Sequence, residues 1–202
     1  MRFLHLPLAC LLTAAPLAAA HAAYPDKPIK IVVPFSAGGI VDSVARLVGE
    51  KLTKQHGQTV IVENRTGAGG AIGTDYAARA PADGYTLLLV SPSHAVTTSL
   101  QPRVTWDPVE SFRAIAGFGI VPNVIVAKKK DPPLTYSTAG IGTSNHLSGE
   151  LLAQEAQIPL THIPYKGQSD ALNDLLGGRV DLMPLTAALA MQHVKAGKLR
   201  AL

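Results

Sequence analysis

Cysteine is nearly absent. The 202 residues contain one, Cys10, and it lies inside the N-terminal apolar stretch, so removal of that stretch leaves a chain with no cysteine and no disulfide. Aromatic residues make up 5% and charged residues 16% of the chain. No basic stripe interleaves with aromatics, so nucleic acid is a poor partner. The formal charge of +4 comes partly from Lys128, Lys129 and Lys130, ahead of Asp131-Pro132-Pro133. Such a run reads as a solvated loop, and the net charge supports no more than a mild attraction for anionic solutes. A long apolar run is missing as well: Pro7 and Pro16 interrupt the one candidate, which falls short of the ~20 residues a membrane span needs.

Enzyme signatures are also missing. No G-x-x-x-x-G-K-[ST] occurs, no serine sits in G-x-S-x-G, and HExxH is absent. Gly67-Ala68-Gly69-Gly70 and Gly140-Ile141-Gly142 each begin like a dinucleotide fingerprint, but its last glycine falls on Ile72 and Asn145. The nearest acid and base pair is His146 with Glu150, one helical turn apart. It lacks a third ligand or a placed nucleophile, so a helix-surface pair, or a histidine orienting its own loop, is the better reading. His56, His94, His162 and His193 have no partners clustered in sequence and are expected to be solvent-facing or locally bonded. No metal and no cofactor is expected.

What is present begins with an export signal. Arg2, an apolar region from Leu6 to Ala20, and Ala20-His21-Ala22 fit small-x-small processing before Ala23, or one residue later before Tyr24. A lipoprotein site at Cys10 is disfavoured by Pro7 three residues before it. Residues 1–23 are therefore expected to be a cleaved signal peptide, leaving about 180 residues of ordinary globular composition, enough for one domain or two small lobes.

The most informative stretch is IKIVVPFSAGGIVDSVARL, residues 29–47. A β-branched run stops at Pro34, turns through Ser36, Ala37, Gly38 and Gly39, and restarts at helical spacing with Ile40, Val41, Val44, Leu47 and Val48. Paired glycines let backbone N–H groups approach a ligand, and the first helical turn adds unpaired donors and the positive end of the dipole. The natural guest is an anionic oxygen. A second loop of the same kind, Tyr136-Ser137-Thr138-Ala139-Gly140-Ile141-Gly142-Thr143-Ser144-Asn145-His146-Leu147, precedes a helix with Leu147, Leu151 and Leu152 on one side. Two anion-seeking loops suggest a cleft.

In this reading the N–H groups of Ala37, Gly38 and Gly39 face the ligand, and Phe35 and Ser36 form a wall. Asp42 either supports the loop through backbone N–H groups or is simply a favourable acid in a first helical turn. In the second loop Thr138, Thr143 and Ser144 offer hydroxyls beside Gly140, and His146 braces the turn; capping of the following helix by Thr143 or Ser144 is the plainer alternative. Ser91, Ser93 and His94, and the segment from Met183 to Thr186, are candidates for setting specificity at the far end of the ligand.

Periodicity predicts strands over 29–33, 59–62, 85–90, 124–127, 134–137, 160–163, 180–183 and 198–202, and helices over 40–56, 70–80, 144–156, 169–176 and 186–196. This alternation implies an α/β sheet with ligand loops at the carboxyl ends of strands. Only residues 128–133 separate the fourth and fifth strands. A parallel crossover needs about a dozen residues, so those two strands must be antiparallel, in different sheets, or mispaired.

The segments YPDKPIKIVVPFSAGG, VIVENRTGAGGAIGT, DGYTLLL, YSTAGIGTSNHLSGELL, HIPYKGQSDALNDLLGGRVDLM and HVKAGKLRAL, in that order, resemble the substrate-binding proteins of tripartite tricarboxylate transporters, the Bug-type periplasmic receptors. The resemblance implies a type II periplasmic-binding fold of two lobes: 24–123 as the N-terminal part of the first, 124–202 as an incomplete second. Compared with that pattern, one helix of the second lobe and the C-terminal segment that returns to the first lobe are missing. It also implies a periplasmic, non-enzymatic receptor that delivers a small carboxylate to membrane permease subunits. A di- or tricarboxylate, an acidic amino acid and an aromatic acid all remain open, because Pro184-Leu185-Thr186 replaces the acid or amide the family often carries there. A shortened remnant that binds nothing is the runner-up reading, and an enzyme of small carboxylates the third.

Overall fold

The computed structural model describes residues 24–127 and 134–202. The expected signal peptide and the lysine run lie outside the described residues. The chain builds two separate sheets, each with its own core.

The first sheet is parallel, in the order β2-β1-β3, with β1 at Ile29–Val33, β2 at Val60–Asn64 and β3 at Thr86–Leu88. β1 runs IKIVV with four of five residues buried, as a central strand covered on both faces requires. Helix α1 (Ile40–His56) packs over it and stops at Gly57, whose φ of +71° lets its N–H cap Thr53 C=O. Ile31, Val33, Phe35 and Ala45 form this core. Leu47 does not join it: the side chain is 55% exposed, because the buried face of α1 runs through Asp42, Ala45 and Gly49. Helix α2 (Ala71–Ala78) follows a short 3₁₀ turn at Ala68–Gly70. A third helix, α3 (Ser93–Leu100), was not expected from periodicity; Ser93 and Thr97 are its buried residues, so no apolar stripe marks it.

The second sheet is mixed, in the order β6-β5-β7-β4-β8. Its strands are β4 (Asn123–Ala127), β5 (Leu134–Thr138), β6 (Leu160–Pro164), β7 (Leu182–Thr186) and β8 (Arg200–Ala201). Helices α4 (Ser144–Ala156), α5 (Gln168–Gly177) and α6 (Ala187–Lys195) connect them. β7 is parallel to β5 and antiparallel to β4. The fourth and fifth strands are thus antiparallel members of one sheet with β7 inserted between them, which removes the need for a long crossover. β7 runs further than the expected 180–183. All five of its residues are buried, and Pro184 is accommodated opposite Ile125.

Val126, Leu172, Leu175, Met183 and Leu185 lead the second core. The expected leucine face of α4 is not part of it: Leu147 and Leu151 are exposed, while Asn145 and Gly149 are the buried positions. The reason is steric. The fully buried Tyr136 ring lies against Gly149, where a Cβ would come within 2.2 Å of it. No helix among the described residues is long and apolar enough to cross a membrane.

Candidate functional site

β1 feeds the first glycine loop into α1. Gly38 has φ +78°, and its N–H donates to Asp42 Oδ2 at 2.9 Å. Asp42 is buried and also accepts from Arg46 Nε at 3.0 Å, Arg46 Nη2 at 2.9 Å and Asn64 Nδ2 at 3.0 Å. Asn64 Nδ2 reaches the Phe35 C=O as well, at 2.9 Å. Burial by itself would raise the Asp42 pKa, but the bonds from Arg46, the Gly38 N–H and Asn64 outweigh it and hold the carboxyl below its ordinary value. Asp42 therefore supports the loop. One correction follows: of the three N–H groups expected to face outward, that of Gly38 is already committed to Asp42, which leaves Ala37 and Gly39 as the open donors among the described residues.

The second loop is held from within. Thr138 Oγ1 accepts the Gly140 N–H at 3.1 Å and pairs with His162 Nε2 at 2.7 Å. Thr143 Oγ1 donates to the Gly140 C=O at 2.7 Å and accepts the His146 N–H at 3.3 Å, capping α4. Ser144 Oγ accepts from Asn123 Nδ2 at 3.3 Å. Each of the three expected hydroxyls thus has an internal partner. His146 does brace the turn: its Nδ1 accepts the Gly142 N–H at 3.2 Å, so its proton sits on Nε2, 3.8 Å from Glu150.

His162 departs from the expectation of a solvent-facing or locally bonded ring. It stacks on Tyr136 at 4.8 Å between centroids and lies 4.4 Å from His146. Burial, and then the neighbouring His146, push its pKa down; the Glu150 charge opposes them. Burial and the bond to Glu150 drive the Tyr136 hydroxyl pKa upward. His94 is bonded to the Pro108 C=O at 2.9 Å and stacks on Trp106.

Phe35, Ser91 and Ser93 come together around one crevice with Pro34, Gly69, Gly70 and His94. It is too tight for a water molecule. Ser91 and Ser93 share a bond at 2.9 Å. The segment from Met183 to Thr186 is buried strand, in which the Pro184 C=O accepts Asn145 Nδ2 at 2.5 Å and Thr186 Oγ1 donates to Gln168 at 3.0 Å.

Among the described residues, glycines line the approach of the two halves of the molecule at both loops. Gly69 stands against the second loop, so closely that a Cβ there would lie 2.1 Å from the Ile141 carbonyl oxygen. Gly167, ahead of α5, stands against the first, where a Cβ would lie 2.6 Å from Ser36 Oγ. Beside it Ser36 Oγ donates to Asp170 Oδ2 at 2.5 Å. Asn64, Gly167 and Asp170 were not singled out from sequence, and Gly69 was named only within a rejected dinucleotide fingerprint. The position of Asn64 at the carboxyl end of β2 was the available signal.

A family model for the tripartite tricarboxylate transporter family receptor matches residues 44–202. BugT of Bordetella pertussis is 38% identical over 199 residues, covering 89% of this chain and 60% of that protein. The structure of the periplasmic binding protein BugD superposes with a TM-score of 0.79 at 39% identity, covering 88% of this chain and 65% of that one. MatC (Rpa3494) from Rhodopseudomonas palustris with bound malate gives 0.81 at 31% identity, over 88% of this chain and 66% of that one. The chain spans about three-fifths of the length of the curated relatives it matches.

Proposed function

Because this chain belongs to the tripartite tricarboxylate transporter receptor family and has the α/β fold of type II periplasmic binding proteins, we propose that it is a non-enzymatic, periplasmic receptor for a small carboxylate. Its signal peptide is cleaved near Ala22 or Ala23, and it hands its ligand to the permease subunits of a tripartite transporter. Residues 24–123 and 124–202 act as its two lobes. The observation that carries this reading is the meeting of Ser36–Gly39 and Gly140–Ser144, both at helix N-termini, with glycine turns of the opposite lobe. The malate bound to MatC is consistent with it.

The open N–H groups of Ala37 and Gly39 take one carboxylate, with Phe35, Ser36, Ser91 and Ser93 on the first-lobe side and Thr138, Gly140, Thr143, Ser144 and His146 shaping the second. Asp42 and Gly38 keep the first loop in place. Glycine contacts this close leave no room for a guest, so the lobes part before a ligand enters, and closure follows contacts made to both sides. Neither loop contains a lysine or arginine. Neutral donors and bridging water hold a carboxylate moderately and release it readily, as a carrier requires.

Calorimetry with malate and a panel of other small carboxylates tests the reading. Gly39→Val, at a backbone φ of −78° that valine tolerates, and Thr143→Val are each expected to weaken binding by about 1–3 kcal/mol. Unchanged affinity in both would move the site elsewhere.

A further inference from the structure

The contact between Ser36 and Asp170 places a carboxylate of the chain itself at the loop assigned above to a ligand carboxylate. Asp170 stands in the first turn of α5, on the second lobe, and accepts from Ser36 Oγ at 2.5 Å. Its neighbour Ser169 has a buried Oγ with no partner, and a Cβ on Gly38 would lie 3.4 Å from that oxygen. The start of α5 therefore lies directly on the Ser36–Gly39 turn.

The other acid of this region, Asp42, is compensated by Arg46. Asp170 is not: among the described residues no lysine or arginine lies within ion-pair distance of it. An oxyanion seated on the N–H groups of Ala37 and Gly39 in the closed form then faces, across the cleft, a second negative charge that no lysine or arginine pairs. For like charges some 4 Å apart, repulsion weakens binding by about fivefold in a water-like medium, rising to several hundredfold at the lower effective dielectric of a closing cleft. A cationic nitrogen next to the ligand's carboxyl group reverses the sign. It replaces Ser36 Oγ as the donor to Asp170 while the carboxylate takes the loop.

Resting on the carboxylate reading of the cleft, we propose that Asp170 is a specificity-determining residue that selects α-amino carboxylates over the corresponding hydroxy or unsubstituted acids. The ligand class is thereby narrowed to zwitterions bearing an ammonium beside the carboxyl group.

Matched pairs that differ only by hydroxyl against ammonium isolate the effect: malate and aspartate, 2-hydroxyglutarate and glutamate, phenyllactate and phenylalanine. Calorimetry on the full chain is expected to find at least one amino acid bound tenfold or more tightly than its hydroxy partner. In Asp170→Asn, an isosteric change at an exposed position, that ratio is expected to fall to threefold or less, with an unchanged circular dichroism spectrum and melting point. Asp170→Ser provides a second neutral variant. Hydroxy acids bound as tightly as amino acids, or a preference that survives both substitutions, would overturn the proposal and leave the carboxylate reading standing. Failure of all six compounds to bind the parent chain would also overturn this proposal, while the carboxylate reading stands or falls on the wider panel of carboxylates.

Discussion

At the scale of the residue, the acid limb of stability is set by groups that must stay in one protonation state. His162 is wedged between Tyr136, His146 and Thr138, and burial followed by the proximity of His146 lowers its pKa. A histidine whose folded pKa is depressed contributes stability that is present above its unfolded value, about 6.5, and is lost as pH falls through the folded one. Asp42 carries the same sign in a more acid range, since its carboxyl is also held below its ordinary value. Urea unfolding between pH 7.5 and 5 is therefore expected to show the parent chain weakening below about 6.5, and His162→Gln weakening less. Parallel pH profiles would dismiss a role for His162.

At the scale of the element, the seating of α4 on β5 depends on one missing side chain. Gly149 faces the ring of Tyr136, which is fully buried and bonded through its hydroxyl to Glu150. Alanine in place of a helical glycine gains up to about 1 kcal/mol in propensity. Here the added Cβ would sit 2.2 Å from the ring, and overpacking of this kind costs about 1–3 kcal/mol. Overpacking wins. Gly149→Ala is expected to lower stability by about 1–2 kcal/mol, measured by denaturant midpoint, and the double variant with Tyr136→Leu is expected to recover part of that loss. A more stable Gly149→Ala protein would mean that the helix can shift away without cost.

At the scale of the whole molecule, the exposed apolar surface is concentrated in the stretch that leads from the first lobe to β4. Ile115, Phe118 and Ile120 are 79%, 60% and 98% exposed, and no strand or helix forms between Phe112 and Pro122. An apolar stretch this exposed favours association through its side chains. Light scattering on the protein is expected to report a mass above the monomer, reduced towards the monomer by Ile115→Asp combined with Ile120→Asp. A monodisperse parent chain would refute this.

Much of the architecture was legible because it is local. The β-branched run before Pro34, the glycine turn and the helix that follows are stated by residues adjacent in sequence, and so are the capping of α4 by Thr143 and the bracing of its loop by His146. The alternating pattern likewise indicated strands and helices near their observed places. Helix α3 escaped because its buried positions are Ser93 and Thr97, and the expected leucine face of α4 misled because Tyr136, in another element, occupies the inside. Tertiary structure alone decided which distant side chains meet. The pairing of His162 with Thr138 and the reach of Asp170 to Ser36 span 24 and 134 residues. Local periodicity indicates where most elements run, but a hydrogen bond between distant side chains exists only once the chain has chosen how its sheets and lobes are set against each other.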